Sequence, residues 1–235
     1  MNIFTGELIG TFFLILLGNG VVANVILSKT KGHGSGWIVI TFGWAMAVFV
    51  GVFVASKASG AHLNPAVTLA LSVIKKIPWN VVPEYLAGQM VGAMLGSLAV
   101  WAAYRQHFTQ TDDVDIKRAV FCTAPAIRSP VHNLLTEIIG TFVLIFAVLY
   151  IIAPSNSLGA LDALPVALLV LAIGLGLGGP TGYAINPVRD IGPRIMHALL
   201  PIGNKGNNDW GYAWIPVVGP LVGALAAAYL FTNLQ

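Results

Sequence analysis

Charge is what this sequence has least of. Only 9% of its residues are Asp, Glu, Lys or Arg, against about 25% in soluble globular domains. Too few charges remain to solvate a water-exposed surface, which excludes an ordinary soluble domain and leaves an integral membrane protein. The net charge is +3, and its Lys and Arg lie in loops with no clustered basic face, which argues against nucleic acid as a partner. The single cysteine, Cys122, excludes an internal disulfide. Metal-ligand spacing is missing as well: His33, His107, His132 and His197 stand apart, so neither a metal nor a cofactor is expected. No nucleophile–base pair stands out, so no enzyme is expected. The first residues, Met1-Asn2-Ile3-Phe4, lack a basic region and place Glu7 at the start of an apolar run. They read as the opening of a spanning helix rather than a cleaved signal.

Apolar residues make up 57% of the chain, and its mean hydropathy is +0.81. Six apolar stretches match the roughly 20 helical residues that a bilayer core demands: 7–27, 37–55, 85–104, 134–153, 161–178 and 210–231. Two more, 64–74 and 186–200, are helical in character but about half that length, and each begins Asn-Pro. Proline suits the first helical turn and asparagine is a strong N-cap. Both short helices should therefore start sharply and reach only about mid-membrane. One domain over 1–235 is expected, with loop 105–131 joining two halves, about 1–104 and 132–235.

The halves resemble each other. "GELIGTFFLI" at 6–15 matches "TEIIGTFVLI" at 136–145, and "SGAHLNPAV" at 59–67 matches "TGYAINPVR" at 181–189. "VGAMLGSLAV" at 91–100 resembles "VGALAAAYLF" at 222–231. Each half holds three spanning helices and one half helix. Three is odd, so the second copy enters from the opposite side, and the repeats are inverted. The N-termini of the half helices should then face each other near the midplane.

Non-helical backbone survives at membrane depth only when it is buried or lines a wet cavity. Segments 57–63 and 179–185 should be such backbone, with carbonyls along a pore. Each half-helix N-terminus carries about half a positive charge, and Asn64 and Asn186 add amide donors. A neutral hydroxyl-bearing solute finds partners there, whereas a cation meets two positive ends with no carboxylate to compensate. Water held at this point by the asparagines would have its proton wire interrupted. A lone Asn-Pro is more simply a capped or kinked helix; two at matching repeat positions point to the pore.

These motifs resemble those of the major intrinsic protein family, the aquaporins and aquaglyceroporins. The likeness spans nearly the whole chain and rests on "HLNPAV", "NPVRD" and the two "E-x-x-G-T" helices. Asp190 after Arg189, and the Gly-Pro that follows, are similar to the bacterial glycerol facilitator branch. The resemblance implies an all-α membrane fold with six spanning and two re-entrant half helices. It further implies a homotetramer with one pore per protomer in the lipid bilayer of a bacterial plasma membrane, with both termini in the cytoplasm. The pore motifs would be Asn64, Pro65 and Ala66, and Asn186, Pro187 and Val188, the last replacing the family's usual alanine.

By spacing from these motifs, the resemblance places a selectivity filter at Trp44, Gly174, Tyr183 and Arg189. Gly174 would leave space where water-selective members carry histidine. Trp44 and Tyr183 would offer aromatic walls to a polyol's carbons, and Arg189 would bond its hydroxyls. The family usually has phenylalanine at the Tyr183 position. The implied solutes are glycerol and water, with urea, dihydroxyacetone and undissociated lactic acid as further candidates. Plainer roles exist: an interface anchor for Trp44 and loop packing for Tyr183. An arginine in so apolar a chain is costly and functional by default.

Glu7 and Glu137 occupy matching places in the repeat. Each is expected to accept NH groups of a re-entrant loop, the alternative being a carboxylate at the headgroups. His62 is expected to orient the carbonyls of the first loop rather than to act as a proton switch, Gln89 is expected to bond the same loop, and Asp190 is taken as a further supporting residue. In the family's orientation Lys57, Lys75 and Lys76 face inward while Lys29, Lys31, Arg105, Lys117, Arg118 and Arg128 face outward, contrary to the positive-inside tendency. The competing function is a secondary transporter with broken helices, which would need ion-coupling carboxylates at the midplane. Asp162 and Asp190 are the candidates.

Overall fold

A computed structural model describes residues 1–151 and 159–235; the last two residues of the expected span 134–153 lie outside these. Among the described residues the regular structure is entirely helical. In the first half come α1 (Ile3–Ile26), α2 (Trp37–Ser59), α3 (Pro65–Val73) and α4 (Val82–Thr109). The connecting segment carries the short α5 (Val114–Ala119). The second half contains α6 (Pro130–Ile151), α7 (Leu164–Leu177), α8 (Pro187–Leu199) and α9 (Ile215–Leu234).

Five of these helices, α1, α2, α4 with its leading 3-10 turn, α6 and α9, are long and apolar enough to cross a membrane. The expected sixth span, 161–178, is shorter: α7 has 14 residues after a 3-10 turn at Gly159–Ala163. Pro165 sets its start and Gly178 caps its end, the usual proline-first, glycine-last arrangement. α3 and α8 are half helices of 9 and 13 residues, and each begins at the proline after an Asn cap.

Glycines bring the helices of each half together. A Cβ on Gly92 of α4 would lie 2.3 Å from Leu8 O of α1, and one on Gly223 of α9 would lie 2.3 Å from Ile138 O of α6. Neighbouring turns repeat the approach at Gly88 and Gly219. Close backbone packing of this kind holds helices together in lipid, where no hydrophobic driving force acts between them. The half helices cross over: α3 packs on α9 as well as α4, and α8 packs on α4 as well as α9. That exchange locks the two halves together and sets the two Asn-Pro ends against each other.

Candidate functional site

Each half helix starts on its own asparagine. Asn64 Oδ1 accepts from Ala66 N at 2.9 Å, and Asn186 Oδ1 accepts from Val188 N at 3.1 Å and Arg189 N at 3.3 Å. The bonding atom at Val188 is its backbone nitrogen, so valine serves the cap as alanine does. The amide nitrogens reach across the repeat. Asn64 Nδ2 donates to Ile185 O and Asn186 Nδ2 donates to Leu63 O, both at 2.8 Å. The innermost carbonyl of each loop is thus taken by the opposite asparagine. Each amide nitrogen keeps one further hydrogen to donate.

The loops before the caps are strained in matched fashion. Ala61, Leu63, Tyr183 and Ile185 have φ of 54°, 52°, 37° and 44°, a left-handed region that side chains disfavour. Two buried carboxylates hold them. Glu7 accepts from His62 N at 3.0 Å, Leu63 N at 2.7 Å, Ser59 Oγ at 2.5 Å and Gln89 Nε2 at 2.8 Å. Glu137 accepts from Ala184 N at 3.0 Å, Ile185 N at 2.8 Å and Thr181 Oγ1 at 2.7 Å. Neither carboxylate sits at the headgroups: Glu7 is 0% and Glu137 1% exposed.

A cavity of about 890 Å³ runs past both asparagines. Every residue from Ser59 to Asn64 and from Tyr183 to Asn186 lines it, as do Trp44 and Arg189. The first irregular stretch is shorter than the expected 57–63, because α2 stays helical through Ser59 before Gly60 turns left-handed at φ 79°. The two ends of the cavity differ. The positions in the opposite repeat that match Trp44, Gly174, Tyr183 and Arg189 are Val166, Val52, Ala61 and Val67, and all four line the same cavity. The end at Trp44 and Arg189 therefore carries aromatics and a guanidinium where the matching positions are small and apolar, and Lys57, Lys76 and Asp162 also line the cavity.

At the polar end, the guanidinium carbon of Arg189 lies 4.2 Å from the Trp44 ring centroid. Arg189 Nη1 donates to Phe121 O at 3.4 Å. Gly174 departs from its expected role. The space beside it is not open, because a Cβ there would meet Tyr183 Cζ at 2.9 Å, Tyr183 Oη at 3.0 Å and Thr41 Cγ2 at 2.9 Å. Tyr183 fills the niche that the missing side chain creates, and its buried hydroxyl has no hydrogen-bond partner among the described residues. Trp37, which the sequence reading passed over, closes the back of this niche. Its Nε1 donates to Gly174 O at 3.0 Å, and its ring meets Tyr183 edge-on at 5.9 Å.

The supporting residues act differently from expectation in two cases. The His62 side chain bonds Thr68 Oγ1 through Nδ1 at 3.1 Å and stacks on Tyr85 with centroids 4.1 Å apart. Gln89 bonds Glu7 and Thr68 Oγ1 rather than the loop itself. Asp190 is more deeply engaged than its place in the motif suggested. Arg194 grips it with Nε to Oδ1 at 2.7 Å and Nη2 to Oδ2 at 3.0 Å, while Thr123 N and Oγ1 donate to Oδ2 at 2.8 and 2.7 Å. Arg194 Nη2 also donates to Thr123 O at 3.0 Å. This pair anchors the 121–123 segment, whose Phe121 carbonyl receives Arg189. Beside it, burial pushes the Cys122 thiol up to about 12.

Sequence reasoning missed Phe121, Thr123 and Trp37, which act through long-range contacts, and Arg194, whose i,i+4 spacing from Asp190 on one helix was a legible signal. Ser59 and Thr181 were legible in principle: both stand five residues before an Asn-Pro asparagine, and both bond the buried glutamate of their half. Among the described residues, no group of three His, Cys, Asp or Glu could hold a metal ion.

A family model described as "Major intrinsic protein" matches residues 1–231. The chain is 53% identical over 234 residues to a probable glycerol uptake facilitator protein of Thermotoga maritima, covering 100% of both chains. It is 51% identical over 232 residues to a glycerol uptake facilitator protein of Streptococcus pneumoniae, covering 99% of each. Its fold is similar to the X-ray structure of the aquaglyceroporin from Plasmodium falciparum, with a TM-score of 0.83 and 31% identity over 97% of this chain and 94% of that one.

Proposed function

This chain belongs to the major intrinsic protein family, and from that premise we propose that it is a passive transmembrane channel for glycerol and other small uncharged polar solutes, water included. It is a multi-pass membrane protein, and its family points to transport without catalysis. The observation that carries the reading is the reciprocal bonding of Asn64 and Asn186 across the repeat, in the wall of one cavity that both line. Each amide keeps one N–H for a passing oxygen, and each helix N-terminus adds positive potential. Water or a polyol hydroxyl can accept there. A cation is repelled by the same dipoles and by Arg189.

At the polar end, Trp44 and Tyr183 offer apolar faces to the carbons of a polyol, and Arg189 donates to its hydroxyls. Urea, dihydroxyacetone and undissociated lactic acid are of the same size and polarity class. The exposed apolar side chains, Phe42 and Tyr229 among them, suit lipid or neighbouring copies, in keeping with a homotetramer in a bacterial plasma membrane with cytoplasmic termini. The whole chain is then one channel domain of two inverted halves. An ion-coupled transporter needs a carboxylate free to load and release its ion. Asp190 is committed to Arg194 and Thr123, which weighs against that reading.

Stopped-flow light scattering on proteoliposomes tests the proposal. Glycerol and water flux should rise linearly with the solute gradient and be indifferent to a proton or sodium gradient. Flux that saturates at low concentration and requires such a gradient would overturn it.

A further inference from the structure

Gly18 lies in the middle of α1, where glycine is costly relative to alanine and where helical backbone needs no left-handed conformation. Something else keeps a hydrogen there. A Cβ at Gly18 would come within 2.2 Å of Trp44 Cζ3, 2.4 Å of Cε3 and 2.5 Å of Cη2. The benzo edge of the indole therefore rests on the bare backbone of α1, while its ring carries Arg189 at 4.2 Å. Two residues on, Gly20 shows nothing within 4 Å of the same added atom among the described residues. Position 20 thus has room for a side chain that position 18 lacks.

The opposite repeat supports this. The position matching Gly18 is Val148, and the position matching Trp44 is Val166. Both valines line the cavity. One half pairs the smallest residue with the largest, and the other pairs two of middle size, so each half trades volume between its first helix and the helix that bears the filter position.

We propose that Gly18 is a specificity-determining residue of this channel: it is the seat that fixes how far the Trp44 indole stands into the pore beneath Arg189. The inference rests on the reading of Trp44 as part of the selectivity filter. A methyl group at position 18 cannot be absorbed in place, because side-chain carbons rest about 3.5–4.0 Å apart. The indole must move by more than an ångström, and the free volume available to it is the pore. A narrower slot penalises a three-carbon polyol more than water.

Gly18→Ala, Gly20→Ala, Trp44→Phe, Trp44→Ala and the double variant Gly18→Ala/Trp44→Phe would be reconstituted beside the parent, and glycerol and water permeabilities measured for each. Gly18→Ala should lower the glycerol-to-water ratio by roughly fivefold, and Gly20→Ala should leave it unchanged. The smaller phenylalanine lacks the ring edge that meets position 18, so the double variant should return to the ratio of Trp44→Phe alone. A parental ratio in Gly18→Ala, or a loss that persists unchanged in the Trp44→Phe background, would overturn the proposal. If Gly18→Ala fails to assemble, recovery of the double variant supports the seat, and failure of both overturns it. If Trp44→Ala itself leaves the ratio unaltered, the filter reading is what fails.

Discussion

The guanidinium carbon of Arg189 stands 4.2 Å from the ring centroid of Trp44, cation over aromatic face, at the polar end of the cavity. The ring fixes the arginine's height in the pore, and the Phe121 carbonyl fixes its direction. A desolvated cation–π contact contributes about 0.5–2 kcal/mol, so Trp44→Ala should change the ratio of glycerol to water permeability by roughly twofold to thirtyfold. Arg189→Ala should raise passage of larger polyols and admit cations. Solute-by-solute swelling rates in proteoliposomes measure both.

Glu137 holds a strained loop through three accepted hydrogen bonds. Glu137→Gln replaces one acceptor oxygen with a nitrogen that can only donate. Loss of one or two bonds to a charged acceptor, at about 1.5–3 kcal/mol each, should lower the melting temperature and reduce the yield of folded channel. Glu7→Gln should do the same, since Oε1 alone receives His62 N and Ser59 Oγ. Thermal unfolding in detergent reports the loss.

Arg194 and Asp190 form an ion pair in which both side chains are 0% exposed. Removing one partner strands the other charge, a cost of about 3–5 kcal/mol. Arg194→Ala should therefore destabilise strongly, and surviving protein should show altered glycerol selectivity because the 121–123 segment loosens behind Arg189. Arg194→Ala/Asp190→Ala should recover part of the stability and none of the selectivity.

The hydroxyl of Tyr183 is buried with no hydrogen-bond partner among the described residues. Leaving a buried polar group unbonded costs about 1–3 kcal/mol. Tyr183→Phe removes that cost while keeping the ring against Gly174, so the variant should melt at or above the parent temperature. Calorimetry of the two proteins side by side decides it.

Burial raises the Cys122 thiol from 9.0 to about 12. The folded state then holds this proton more tightly than the unfolded state. Its contribution to stability is complete below pH 9 and falls as pH rises from 9 towards 12. Maleimide should not label the native protein at pH 8 but should label it once unfolded. Cys122→Ala should flatten the alkaline loss of stability, as read from melting temperatures across that range.

Much of this channel could be read from one dimension. Apolar runs separated by short polar loops permit only helices in lipid, because every backbone group must be satisfied within its own segment. The repeated Asn-Pro announced both half helices, because a cap and a first-turn proline are local devices. Repetition of Glu7 at Glu137 likewise pointed to paired loop anchors. Tertiary structure alone decided that Tyr183 occupies the niche beside Gly174, that Arg194 and the 121–123 segment stand behind Arg189, and that Gly18 sits under Trp44. Some of these relations cross helix interfaces between distant segments, as Gly18 with Trp44 and Thr123 with Asp190 do, and others, such as Tyr183 beside Gly174, depend on how a loop folds back on its helix; no local periodicity or capping rule encodes which side chain will fill which gap.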